Sequence, residues 1–243
     1  MPYREKKIYA GNYLEVEIYP ITKQERRQPR KKKEKVTVPK QRNLNDKNSK
    51  KYLIRKTHAN FTDDDLFLTF TYNAKHLPSS HEETKRDMTN YLRSVDRYRK
   101  KNSLPKLKWI AVIEYGEGRR IHHHIIMSGM DRDIAEGFWK KGRANANRLK
   151  ADENGYEGLV RYITKDPQGK RRWSCSRNLE EPVIRVNDNK YSKRKAEKLA
   201  NAPDDSITFE KLYPGYVLTE CKANFNDINA GTYLYIKMRK LKL

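Results

Sequence analysis

Cysteine is nearly absent: Cys175 and Cys221 lie far apart and in no CxxC arrangement. That excludes a zinc knuckle and a disulfide scaffold and leaves two ordinary reduced thiols. No apolar run approaches the about 18 residues a membrane span needs, and the opening Met1 to Lys7 is polar and charged. These features predict a cytoplasmic protein. There is no GxxxxGKS/T stretch to cradle ATP phosphates, so any duplex unwinding falls to another protein. No internal repeat is present. Negative charge is also scarce, with 31 acidic against 54 basic side chains, a net charge of +23 and a pI near 9.9. Such a surface seeks a polyanion, and nucleic acid is the natural one. A membrane surface would require an amphipathic apolar stripe beside the basic one, and none is found. With 36% hydrophobic residues, the chain reads as one core with extensions, thin for two cores.

Tyr9 to Tyr19 alternates apolar and polar side chains after Gly11 and Asn12, the pattern of a half-buried strand expected to pair with the main sheet. Lys23 to Lys51 is dominated by Lys, Arg, Gln and Asn and reads as a mobile basic arm, either solvated surface or a phosphate contact. Leu66 to Tyr72 (LFLTFTY) has the β-branched and aromatic content of a central strand. From Glu82 to Lys101, Met88, Tyr91, Leu92, Val95 and Tyr98 recur at helical spacing, with Ser79 or Ser80 placed as cap. Trp109 to Glu114 and Ile121 to Met127 read as strands joined through Gly116 and Gly118. A short helix over Asp131 to Lys141, a strand over Arg143 to Leu149 and a helix over Glu157 to Lys165, ended by Asp166-Pro167, follow. The remainder holds Pro182 to Val186, a Lys-rich stretch from Lys190 to Lys198 and a strand-like Thr232 to Met238. The sum is an α+β fold around an antiparallel sheet.

Chemistry concentrates in the hairpin and the last of these helices. Residues two apart on a strand share a face, so His122 and His124 present two imidazoles together while His123 points away. The turn folds Glu114 back beside them as a third ligand, a donor set suited to Mg²⁺ or Mn²⁺, with Zn²⁺ an alternative. Taken alone, the pair reads more readily as surface histidines on a basic sheet, since histidine has many bland uses. In the helix, the apolar positions are Tyr156, Leu159, Val160 and Ile163. Tyr162 lies about 110° from the centre of that stripe and Lys165 about 60° further. A phenol with a pKa near 10 needs activation to attack, and the Lys165 ammonium is placed to favour the phenolate. From the helix alone, Tyr162 reads instead as a boundary aromatic reaching for water.

Taken in order, FLTFTYN (Phe67 to Asn73), GRRIHHHIIMSG (Gly118 to Gly129) and GLVRYITKDP (Gly158 to Pro167) resemble the three ordered motifs of HUH endonucleases. Within that superfamily the chain resembles the replication-associated proteins of rolling-circle plasmids, microviruses and related bacterial elements. GNYLEVEIY (Gly11 to Tyr19) and WSCSRNL (Trp173 to Leu179) share the likeness. One departure is His123, where the family usually carries an apolar residue. The resemblance implies an RRM-like central antiparallel sheet with flanking helices and N- and C-terminal extensions. The expected division is 1–50 for an N-terminal strand and basic arm, 51–175 for the endonuclease core and 176–243 for an extension packed on or beside it. It also implies metal ligands at His122, His124 and Glu114, the nucleophile at Tyr162 and its helper at Lys165. Tyr156 lies six residues before Tyr162 and on the apolar stripe, so a single-tyrosine enzyme is expected.

The implied partner is single-stranded DNA at a replication origin, in the cytoplasm of a bacterial host cell, with host polymerase and helicase and no small-molecule substrate. Tyr72, Tyr115 and Trp173 are candidates to stack on the strand. Relaxases and transposases of the same chemistry are the nearest alternatives, the former usually placing the tyrosine before the histidines. A non-catalytic single-strand-binding module is the alternative from another class, and would carry aromatics on the sheet where this chain has histidines.

Overall fold

The computed structural model describes residues 2–22, 39–116, 119–165, 173–226 and 231–241. The fold is α+β, built on two five-stranded antiparallel sheets. Two compact units result: Met1–Ala59 with Glu153–Gly155 and Glu181–Leu243, and Asn60–Asp152 with Tyr156–Glu180.

The second unit carries the predicted chemistry. Its strands are β3 (Leu66–Thr71), β4 (Trp109–Gly116), β5 (Arg119–Met127), β6 (Ala144–Arg148) and β7 (Ser174–Cys175), in the order β6-β3-β5-β4-β7. The alternation of LFLTFT sends Leu66, Leu68 and Phe70 into the core, all fully buried, and turns Phe67, Thr69 and Thr71 to the other face. Helix α2 (His81–Lys101) covers the core side with Met88, Tyr91, Leu92 and Val95. It begins at Ser80, whose hydroxyl accepts from the Glu83 N–H, while the Glu83 carboxylate accepts from the Ser79 N–H. The reciprocal bonds fix the start of the helix. Phe70 packs between Tyr91 (4.6 Å) and Trp139 (4.8 Å). Two short helices, α3 (Arg132–Gly137) and α4 (Glu157–Ile163), complete the unit. The expected Asp166-Pro167 stop lies outside the described residues, and α4 ends at Thr164 before reaching it.

The first unit has strands β1 (Tyr3–Ala10), β2 (Tyr13–Pro20), β8 (Val183–Tyr191), β9 (Tyr216–Asn226) and β10 (Gly231–Lys240), ordered β8-β1-β2-β10-β9. Helices α1 (Pro39–Asn60), α5 (Lys193–Ala200) and α6 (Ser206–Leu212) accompany them. Leu14, Val16 and Ile18 of β2 face Met238, Ile236 and Leu234 of β10 across the ladder and make a core of their own. Gly11 turns the β1–β2 hairpin at φ +58°, and a Cβ there would sit 2.2 Å from the His58 carbonyl oxygen, so only glycine fits.

Three expectations are corrected. The N-terminal strand is a hairpin that pairs with β8 and β10, and not with the sheet of the histidines. One core with tails, divided at 50 and 175, gives way to two cores in which both ends of the chain share a unit; pairing over more than 200 residues leaves no local trace. Of the expected basic arm, residues 23–38 lie outside the described residues, and the rest belongs to α1. That helix is fastened at its far end, where Leu53 and Ile54 are buried and Arg55 bonds Glu15 and Glu17 at 2.6 and 2.9 Å. Cys175 and Cys221 are free and half-buried.

Candidate active site

In an antiparallel ladder, residues directly opposite one another share a face. His122 of β5 lies opposite Glu114 of β4 and Thr71 of β3, and His124 lies opposite Val112 and Thr69. Both histidines, Glu114 and Thr69 therefore project from the face turned away from α2. The His122 and His124 rings lie nearly parallel, 6.2 Å apart with an interplanar angle of 15°. His124 is 2% exposed, with Nε2 3.2 Å from a Glu114 oxygen and Nδ1 3.4 Å from the Thr69 hydroxyl. Burial lowers the His124 pKa against the opposing pull of Glu114, so the ring is held neutral.

A neutral imidazole has one N–H and one lone pair. If the N–H is on Nδ1 it donates to Thr69, and the Nε2 lone pair then faces a carboxylate oxygen at 3.2 Å. Two acceptors tolerate that distance only with a proton or a cation between them. Two imidazoles and a carboxylate on one face are a donor set of the kind that suits a divalent ion, and with the N–H on Nε2 the His124–Glu114 pair closes as a hydrogen bond. Among the described residues, no three His, Cys, Asp or Glu side chains are drawn into a closed group; the face offers a close His124–Glu114 pair with His122 alongside.

Tyr162 stands beside this pair. It is 63% exposed, although its helix neighbours Val160 and Ile163 are buried. Its ring centroid is 5.7 Å from that of His124, at 69°. Tyr156, the alternative tyrosine, is buried at the start of α4 and donates its hydroxyl to Asp63 at 2.9 Å. Lys165 follows α4, exposed, with its backbone N–H donating to the Tyr162 carbonyl. Among the described residues no hydrogen bond joins the two side chains, so the structure brings Tyr162 to His124 without a bond from the Lys165 ammonium to the phenol.

Behind the strand, His123 is fully buried, and burial with the neighbouring histidines lowers its pKa to about 3. Its Nε2 lies 2.8 Å from the Tyr72 hydroxyl, which donates to Asp87 at 3.2 Å, and Lys141 pairs with Asp87 at 3.0 Å. Tyr72 therefore cannot stack on a bound strand: it is 3% exposed and faces the core. Tyr115 is likewise turned to α2, its ring edge-on to His81 at 4.0 Å. Sequence reasoning missed Thr69, Asp87 and Lys141. Alternation along LFLTFT separates Thr69 from the core residues, but only the β3–β5 register puts it against His124.

Residues 65–167 match the family model of the replication-associated protein ORF2/G2P. Over that span the chain is similar to replication-associated proteins. No curated protein and no solved structure matches it. The matched span runs from the start of β3 to just past α4 and contains Glu114, His122, His124, Tyr162 and Lys165. Among the described residues no helix is long and apolar enough to cross a membrane.

Proposed function

We propose that this chain is a HUH-type endonuclease that nicks single-stranded origin DNA to start rolling-circle replication, with its histidine sheet as the RRM-like platform. The observation that carries this reading is a tyrosine 63% exposed on the solvent-facing side of α4 whose ring is held 5.7 Å from the buried His124 ring. An exposed phenol beside a buried imidazole adds little apolar burial to the fold. The replication-associated family supports the initiator role.

Glu114, His122 and His124 would hold a divalent cation, Mg²⁺ or Mn²⁺, which when bound supplies Lewis-acid polarisation of the scissile phosphate. The Tyr162 oxygen attacks the phosphorus in line, the bond to the 3′ oxygen breaks, and that oxygen leaves as a 3′-hydroxyl after taking up a proton. One phosphodiester replaces another, so no ATP is consumed. The 5′ end remains on Tyr162 while the 3′-hydroxyl primes a host polymerase behind a host helicase. Lys165 acts as a mobile cation that swings in to neutralise the phenolate or the phosphate. Thr69 keeps the His124 ring oriented so that Nε2 faces the ligand position.

The test is incubation of the full chain with Mn²⁺ and single-stranded oligonucleotides tiling the element that encodes it, read on denaturing gels. A covalent adduct is expected, lost in Tyr162→Phe and in His122→Ala. An adduct that persists in Tyr162→Phe, or binding without an adduct on any tile, would overturn the reading.

A further inference from the structure

The face that bears the histidines continues past them to the sheet edge. There β6 reads Ala144-Asn145-Ala146-Asn147-Arg148, with no β-branched or aromatic residue. Asparagine and alanine are poor strand formers, so this composition does not serve strand stability. Ala146 is buried on the core side, whereas Asn145 and Asn147 are exposed. Asn145 lies opposite Thr69 and Asn147 opposite Phe67, and Thr69 in turn lies opposite His124. Both amides therefore share the face of His124 and Glu114, two interstrand steps or about 10 Å from β5.

Phe67 lies between them. It is half-buried and nearly parallel to the His124 ring, with centroids 6.0 Å apart and an angle of 12°. Arg143, one alternation before Asn145 and exposed, accepts the Thr71 N–H on its carbonyl and so is held at the same edge. Asn147 donates its amide to the Asn145 side-chain oxygen at 2.6 Å. That bond orients the pair and leaves the Asn145 amide as donor beside the Asn147 carbonyl as acceptor. Every base edge carries complementary groups, and a ring face suits the base itself. Protection of an exposed edge, the simpler role, is normally served by lysine or proline. Neither asparagine adds charge or removes a backbone donor.

We infer that Phe67, Asn145 and Asn147, with Arg143 on the adjoining phosphate, form a base-reading subsite for one unstacked nucleobase of the strand being cut, beside the reacting phosphate. The inference rests on the reading above that the substrate is single-stranded DNA. Phe67 supplies the stacking surface and the asparagine pair reads the base edge. Arg143 fixes the backbone without regard to sequence.

The test selects a randomised single-stranded DNA library for equilibrium binding to the full chain carrying Tyr162→Phe, with and without Asn145→Ala and Asn147→Ala. The parent profile should discriminate at one position that the asparagine pair alone controls. In the double variant that discrimination should fall about tenfold or more, with preferences elsewhere unchanged. Phe67→Ala should weaken binding to all sequences, and Phe67→Tyr should restore it. Tryptophan fluorescence on unfolding shows whether each variant is folded. A folded double variant with an unaltered profile overturns the subsite. Adduct formation by the unsubstituted chain is scored separately: adducts with an unaltered profile sink the subsite alone, and an altered profile without adducts sinks the nicking alone. A chain that binds no strand sinks both.

Discussion

Replacing Tyr72 by phenylalanine isolates the polar chain behind the histidine strand. The Tyr72 hydroxyl has one proton, given to Asp87 at 3.2 Å, so at 2.8 Å it must accept from an N–H at His123 Nε2. The His123 Nδ1, buried without a hydrogen-bond partner, is then a lone pair, which is cheaper to leave unmet than an N–H. Tyr72→Phe keeps the ring and its packing on Trp139 (5.2 Å) but strands the Nε2–H in a fully buried position. Asp87 still has Lys141 at 3.0 Å. One lost bond, about 1 kcal/mol, and one orphaned buried donor, about 1–3 kcal/mol, sum to roughly 2–4 kcal/mol. The control is Tyr91→Phe, which removes the bond to the Ala135 carbonyl and a long contact with the Met127 sulfur and should cost about 1 kcal/mol. Trp109, Trp139 and Trp173 all lie in the second unit, so tryptophan fluorescence in a urea titration follows that unit alone. A Tyr72→Phe protein within about 0.5 kcal/mol of the parent, or no less stable than Tyr91→Phe, would refute the proton assignment.

Thr69→Val, which keeps shape and removes the hydroxyl facing His124 Nδ1, should weaken Mn²⁺ binding about ten- to a hundredfold, with Thr69→Ser close to the parent; isothermal titration decides. Gly142→Ala would place a Cβ 2.2 Å from the Thr71 carbonyl oxygen and 2.7 Å from the Asn73 nitrogen, and is expected to cost more than about 2 kcal/mol by fluorescence. Gly137→Ala meets nothing within 4 Å and should be neutral or stabilising by up to about 1 kcal/mol. In the first unit, burial pushes the Glu17 carboxyl up, but Lys6 and Arg55 together outweigh it and hold its pKa below the ordinary value. Its contribution is therefore full above the ordinary carboxylate pKa and is lost as pH falls through the lowered one. Urea midpoints followed by far-ultraviolet circular dichroism should drop on acidification, and less steeply in Arg55→Gln.

What could be read from the sequence is what local chemistry fixes. The cap at Ser80 and the spacing of Met88, Tyr91, Leu92 and Val95 predict α2 to within a residue of its bounds. Alternation separates His122 and His124 from His123 without any structure. Alternation also places Tyr72 with Leu66, Leu68 and Phe70, so its burial was legible, and the role of strand-stacker overlooked the face it occupies. What was hidden is non-local. The ladder between β2 and β10 joins residues more than 200 apart, and α1 looks unstructured from Pro39 because its anchors, Leu53 to Arg55, come at its far end. Thr69, Asn145 and Asn147 acquire meaning only once β3 is known to lie between β6 and β5.

Three consecutive histidines pose a register problem that apolar patterning alone does not solve. Ile125, Ile126 and Met127 are all fully buried, so the far half of β5 is covered on both faces and would tolerate a slip. Sliding by one residue would expose His123 and turn His122 and His124 toward α2. On that side the Tyr72–Asp87 pair receives one imidazole. Two histidines placed there would leave at least one unpaired in an apolar core, at a cost of roughly 2 kcal/mol or more. The opposite face has Thr69 and Glu114 waiting for one ring and an open surface for the other. The middle histidine is thus a latch: the chain selects the right register with a buried hydrogen bond. The same bond that stabilises the sheet decides which imidazole meets Tyr162.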